Sequence, residues 1–201
     1  MKVSAEKASE ILGVSRQQIS RLVSAGEIES ERFGNVLQID LDSLHRYQDL
    51  RPGRGRPRRE DSAWAALNNA EPRSIDDLKL LSVGMRRRAR RRRVRILPGS
   101  INRLLADKRV VISGATAAAH HGAAVQDRPP HAIYVRRSDY HDLESEYRLK
   151  EGGDANLIVR VAPDDIWLFN AGKHAPMAVA LLDLVDDRDD RSAAEALREF
   201  E

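Results

Sequence analysis

The chain has 201 residues, 34 Lys plus Arg against 31 Asp plus Glu, a net charge of +3, no cysteine and 4% aromatic residues. The absence of Cys excludes disulfides, thiolate zinc sites and cysteine nucleophiles, and it fits a reducing cytoplasm. The start, MKVSAEKASE, has no apolar h-region and no window approaches eighteen consecutive apolar residues, so neither a signal peptide nor a membrane span is expected.

In the first fifty residues, Ser4 is a plausible N-cap for a helix carrying Ala5, Ala8, Ile11 and Leu12. Gly13 ends it, leaving Gly13-Val14-Ser15 as a tight turn. Ser15 and Gln18 form an S-x-x-Q capping box that opens a second helix, in which Ile19, Leu22 and Val23 make one apolar face. Residues 31–40 alternate around Gly34-Asn35, a pair suited to a hairpin turn. Leu41, Leu44 and Tyr47 predict a last short helix.

The stretch RPGRGRPRR at 51–59 is a linker, because Pro and Gly punctuate it. A helix is expected around Trp64 to Leu67, and Ser74 with Asp77 resembles a capping box before Leu78, Leu80 and Leu81. Eight of the ten residues from Arg86 to Arg95 are arginine, and Pro98-Gly99 is expected to break the chain before Ile101, Leu104 and Leu105. From Arg109 onward the pattern is α/β. Strands are expected at Val110–Ile112, Ala132–Val135 and Leu157–Val161. Helices are expected at Thr116–His121, Tyr140–Leu149, Met177–Leu184 and, from a Ser192/Glu195 capping box, through Ala196, Leu197 and Phe200.

This predicts an α+β protein with four parts: a winged helix-turn-helix (1–50), a basic linker (51–61), an Arg-rich helical segment (62–108) and a small C-terminal α/β domain (109–201). The charge divides along those boundaries. Residues 1–50 carry 6 basic and 8 acidic side chains, residues 51–109 carry 18 and 6, and residues 110–201 carry 10 and 17. A cationic middle between two acidic flanks points to a polyanionic partner, most often nucleic acid.

The string SAEKASEILGVSRQQISRLVSAGEI resembles the excisionase and MerR-type DNA-binding families through Glu6, Ala8, Leu12, Gly13, Val14, Ser15, Ile19, Arg21, Gly26 and Ile28. With the apolar face turned inward, Gln17, Ser20, Arg21 and Ser24 point outward, and Arg16 and Gln18 flank them. Ser15 and Arg16, at the helix N-terminus, suit phosphate. Gln17 and Arg21 can make bidentate hydrogen bonds to adenine and guanine edges. The wing departs from those families in having Arg32 as its single arginine. Gly-Arg-Pro at 55–57, with Arg54, Arg56 and Arg58, resembles an AT-hook, an extended segment suited to a narrow minor groove. The arginine run, including Arg86, Arg87, Arg90 and Arg91, has no apolar stripe to bury. It is expected to meet DNA phosphate, with RNA or neutralisation by the acidic C-terminal domain as alternatives.

From Ser113 the order SGATAAAHHGA, Tyr134-Val135, DANLIVRV and APMAVALLDLVDDRDDRSAAEALREF resembles the C-terminal domain of AbiEi-type antitoxins of type IV toxin–antitoxin systems. Ala155-Asn156, Arg160, Asp183-Leu184 and Arg191-Ser192 carry the match, although Asp190 stands where that family often has Pro. The resemblance implies a repressor of its own operon that counteracts a nucleotidyltransferase-like toxin encoded beside it. The C-terminal domain would be a platform for antitoxin action or for self-association as a homodimer. The rival readings are an excisionase-like architectural protein and an RNA-binding protein.

No H-E-x-x-H, Walker A or G-x-S-x-G motif is present. His120 and His121 are neighbours that diverge by about 100° on a helix, a poor metal pair. Asp186, Asp187, Asp189 and Asp190 read as a turn and acidic cap rather than a Mg²⁺ site. Neither an enzyme, a metal nor a cofactor is expected.

Overall fold

A computed structural model describes residues 1–25, 27–33, 36–49, 59–151 and 154–199, with backbone alone at residues 32, 33 and 49. The protein is of the α+β class. Contacts divide it into two units, Met1–Gly55 and Arg56–Glu201.

Unit 1 runs β1 (Lys2–Ser4), α1 (Ala5–Leu12), α2 (Arg16–Ser24), β2 (Ser30–Phe33), β3 (Val36–Asp40) and α3 (Leu41–Asp49). Its antiparallel sheet has the order β1-β3-β2, and β1 has no counterpart in the sequence reading. The expected caps are present: the Ser4 hydroxyl accepts from the Lys7 amide and the Ser15 hydroxyl from the Gln18 amide. Gly13 has φ +64°, and the amide after it reaches back to the Ser9 carbonyl, the helix-ending bend that glycine adopts at least cost. Ala8, Leu12, Ile19, Leu22, Ile28, Ile39 and Leu44 form one core. The Gly34-Asn35 turn lies outside the described residues.

Unit 2 follows as α4 (Glu60–Leu67), α5 (Ile75–Met85), β4 (Arg90–Arg95), α6 (Pro98–Ala106), β5 (Val110–Ser113), α7 (Gly114–His120), β6 (His131–Arg136), α8 (Tyr140–Glu146), β7 (Lys150–Glu151), β8 (Leu157–Ala162), α9 (Met177–Asp186) and α10 (Asp190–Arg198), with a 3₁₀ turn at Trp167–Asn170. One five-stranded sheet has the order β5-β6-β8-β4-β7, parallel between β6 and β8 and antiparallel elsewhere. One face buries Val94, Val110, Ile133, Val135, Leu157, Val159 and Val161 under Leu104, Tyr140 and Leu143. The other carries Val111, Tyr134 and Ala162 beneath Trp64, Leu168 and the apolar side of α9.

Several expectations change here. The segment 62–108 is not a separate helical part, because β4 lies inside the C-terminal sheet between β8 and β7. Trp64 of α4 donates to the Arg88 carbonyl at 2.8 Å and meets Tyr134 and Trp167 edge-on. The arginine run is a turn followed by a strand. Pro98 opens α6 instead of breaking the chain, since a first helical position needs no amide hydrogen. The last helix begins at Asp190, with the Asp189 carboxylate accepting from the Ser192 amide. The helix at Tyr140 stops at Glu146, and Arg148, at φ +53°, turns the chain into β7. Among the described residues no helix is long and apolar enough to cross a membrane.

Candidate nucleic-acid interface

Two helices joined by the short turn at Gly13–Ser15, then an antiparallel strand pair, present the outer side of α2 to solvent. Ile19 and Leu22 anchor its inner side in the core. Ser15, Arg16, Gln17, Gln18, Ser20 and Arg21 are all exposed along it. The frame behind the helix is tied by polar contacts. Ser43, fully buried, accepts from the Glu29 amide at 2.8 Å, and Arg46 pairs with Glu29 at 3.3 Å. The side chain of Arg32 lies outside the described residues, and so do Arg54, Arg56 and Arg58 with the AT-hook-like motif. The backbone of Arg32 stands opposite Leu37 in the β2–β3 pair.

The arginine run does have a packing explanation. Arg88 is 2% exposed: Nε donates to the Tyr134 hydroxyl at 3.0 Å, and Nη2 donates to Asp183 and Asp186 at 2.5 Å each. Arg91 and Arg160 both donate to Asp187 Oδ1, at 3.0 and 2.9 Å. Asp183, with no exposed surface, also accepts from Tyr134 at 2.8 Å and Ser113 at 2.5 Å, and Asp186 accepts from Ser82. Three guanidinium groups thus meet three carboxylates, with Tyr134, Ser82 and Ser113 donating to the same acids, while Arg160 Nη1 keeps no hydrogen-bond partner among the described residues. Burial alone would lower Arg88, but Asp186, Tyr134 and Asp183 outweigh it and raise its pKa well above the ordinary value. For the Tyr134 hydroxyl the main cause is burial itself, which disfavours the phenolate and pushes the pKa up.

Of the four arginines expected to meet phosphate, Arg91 is therefore committed to Asp187, Arg86 is half-buried, and Arg87 and Arg90 are exposed. Arg92 stacks on Tyr140 at 4.8 Å and pairs with Glu151. A different set of cations gathers at the β7 edge of the sheet. Arg95 stands opposite Lys150, Arg148 precedes it by two residues, and the Arg103 guanidinium lies 4.9 Å over the ring of Tyr147. All four are exposed, and among the described residues none is in an ion pair. The nearby carboxylates are already held: Glu151 by Arg92, and Asp107 and Glu146 by Arg109. The sequence reading missed this rim because Arg103, Arg148 and Lys150 belong to no run.

The residues behind the antitoxin resemblance divide, with Arg191 exposed and some of the others in this interior. Ser113, Arg160 and Asp183 are in the buried network, and Gly114, at φ +61°, lies with a would-be Cβ 3.1 Å from that of Ala132. Asn156 bonds both the amide and the carbonyl of Ile96 at 2.9 Å, as a strand neighbour would. The Asp cluster is fully engaged, with Asp190 paired to Lys79. Among the described residues no group of three or more His, Asp or Glu is arranged to hold a metal ion.

Fold and surface define a two-unit α+β protein with an exposed polar helix on one unit and, on the other, an exposed cationic rim with no ion pair among the described residues. No family model matches the chain, and no solved structure does. It is similar to uncharacterised proteins of Mycobacterium tuberculosis and Mycobacterium bovis, each 33% identical over 96 residues, 46% of this chain and 84% of the relative. The chain belongs to the family of these mycobacterial proteins.

Proposed function

We propose that this protein is a sequence-specific duplex-DNA-binding transcriptional regulator, and that it acts as the autorepressing antitoxin of a type IV toxin–antitoxin operon. The observation that carries the DNA-binding part is α2: a helix capped by Ser15, pinned from behind by Ile19 and Leu22, with Arg16, Gln17, Gln18, Ser20 and Arg21 exposed to solvent. In this reading unit 1 is a winged helix-turn-helix. The α2 N-terminus, with Ser15 and Arg16, holds a phosphate, while Gln17 and Arg21 contact base edges in the major groove.

Unit 1 is poor in positive charge, and phosphate contact supplies most of the salt-dependent affinity of such proteins. The rim of Arg95, Arg103, Arg148 and Lys150, together with the arginines of the linker, supplies it here. Unit 2 is the platform for a nucleotidyltransferase-like toxin or for a second copy of the chain. The antitoxin part rests on the resemblance of residues 113–201.

DNase footprinting of the region upstream of the protein's own gene tests this function. Protection of a discrete site is the expected result, and no protection by the folded protein overturns autorepression. Coexpression with an adjacent nucleotidyltransferase-like protein tests the antitoxin role, with relief of growth arrest expected.

A further inference from the structure

Residues 173–175 run beside β5 and close its open edge. The Ile112 amide donates to the Lys173 carbonyl at 2.9 Å, and the Ala175 amide donates back to the Ile112 carbonyl at 2.7 Å. A free strand edge is a template for pairing with another chain, so this short strap guards the sheet.

What fastens the strap is a cluster of imidazoles. His174 stacks on His120 with ring centroids 3.8 Å apart and planes 13° from parallel, and His121 lies 5.4 Å from His120. The His121 Nε2 bonds the Ala175 carbonyl at 2.9 Å. The Lys173 ammonium donates to the carbonyls of Asp107 and Val110 at 2.6 and 2.9 Å. We propose that this clasp is an acid-sensitive latch, holding the strap on β5 while the His174 imidazole is neutral and releasing it when His174 gains a proton.

The charges around His174 favour release. The end of α7 contributes His120 and His121, and the strap contributes Lys173. β5 brings no charged side chain, and the carboxylates of α9 are tied into the arginine network. Asp107 faces Lys173 rather than His174 and is itself held by Arg109. Among the described residues no carboxylate faces His174 to neutralise its imidazolium. Burial, then His120, His121 and Lys173, hold His174 below the ordinary imidazole value. Release of the strap restores that value, so falling pH favours the open strap.

Hydrogen–deuterium exchange on the full chain, corrected for intrinsic exchange rates, reads the Ile112 and Ala175 amides. Between about pH 7.5 and about pH 5.5, on either side of the imidazole range, their protection falls roughly tenfold while amides of β8 stay protected. The double variant His120→Gln/His174→Gln keeps its protection at both pH values. His174→Phe, which retains a flat ring without a proton site, does the same. Equal protection at both pH values overturns the latch. So does an undiminished acid loss in the variants, or a loss shared by β8, which marks global unfolding.

Discussion

Arg91 of β4 and Arg160 of β8 stand opposite each other on one face of the sheet and donate to the same oxygen of Asp187. Tyr134 occupies the next register position on β6, so the row continues to the hydroxyl that joins Arg88 to Asp183. Like charges across a strand pair repel unless an acid lies between them. Here α9 and the residue that caps its end supply Asp183, Asp186 and Asp187 at helical spacing on one side, and that spacing lets a cationic strand lie inside a sheet.

Removing one partner from this network is expected to cost far more than removing a surface charge. Asp183→Ala leaves Arg88, Arg160 and Tyr134 without their shared acceptor, and urea titration should show a loss of about 3–5 kcal/mol. Replacing the exposed Arg90 by Gln should change stability by less than about 0.5 kcal/mol.

The frame of the exposed helix should respond to local backbone chemistry. Ser15→Ala removes the oxygen that accepts from the Gln18 amide and should cost about 1 kcal/mol. Gly13→Ala puts a Cβ at φ +64° and should cost about 1–2 kcal/mol. Both are read by thermal or chemical melts of the full chain.

Base reading and phosphate attraction are expected to separate. Arg21→Ala should lose about 1–3 kcal/mol on the footprinted site and much less on a scrambled duplex. Equal losses on the two would remove Arg21 from base contact.

The triple variant Arg95→Gln/Arg148→Gln/Lys150→Gln should weaken both duplexes alike. It should also lower the magnitude of the slope of log K against log salt by about 3. An unchanged slope would take the rim out of DNA binding and leave the role of α2 standing. Parallel titration with structured RNA discriminates the nucleic-acid class.

Acid should destabilise unit 2 through Asp107 as well. The Arg109 side chain, with help from the Arg109 amide and the Tyr147 hydroxyl, holds the Asp107 carboxyl well below the usual carboxylate range. Its folded pKa is depressed, so its contribution is present above about pH 4 and is lost as pH falls toward the folded value. Asp107→Asn should flatten that acid limb, measured by urea midpoints at successive pH values.

Local chemistry was legible in the sequence. The Ser4, Ser15 and Ser74 caps, the Gly13 stop, the inward face of Ile19 and Leu22 and the exposure of Arg16, Gln17, Ser20 and Arg21 follow from spacing along one helix or turn. Neutralisation of the arginine run by the acidic C-terminal part stood among the alternatives, but which residues pair was not legible. Arg88 and Asp183 are 95 residues apart, and Arg95 and Lys150 are 55 apart. An arginine run with no apolar stripe looked like a surface because its counter-charges lie on α9, which only the folded sheet brings within reach. Sequence alone established where helices begin and which residues can face outward. Tertiary structure decided which positive charges are consumed inside and which stay exposed, because pairing depends on distance in space.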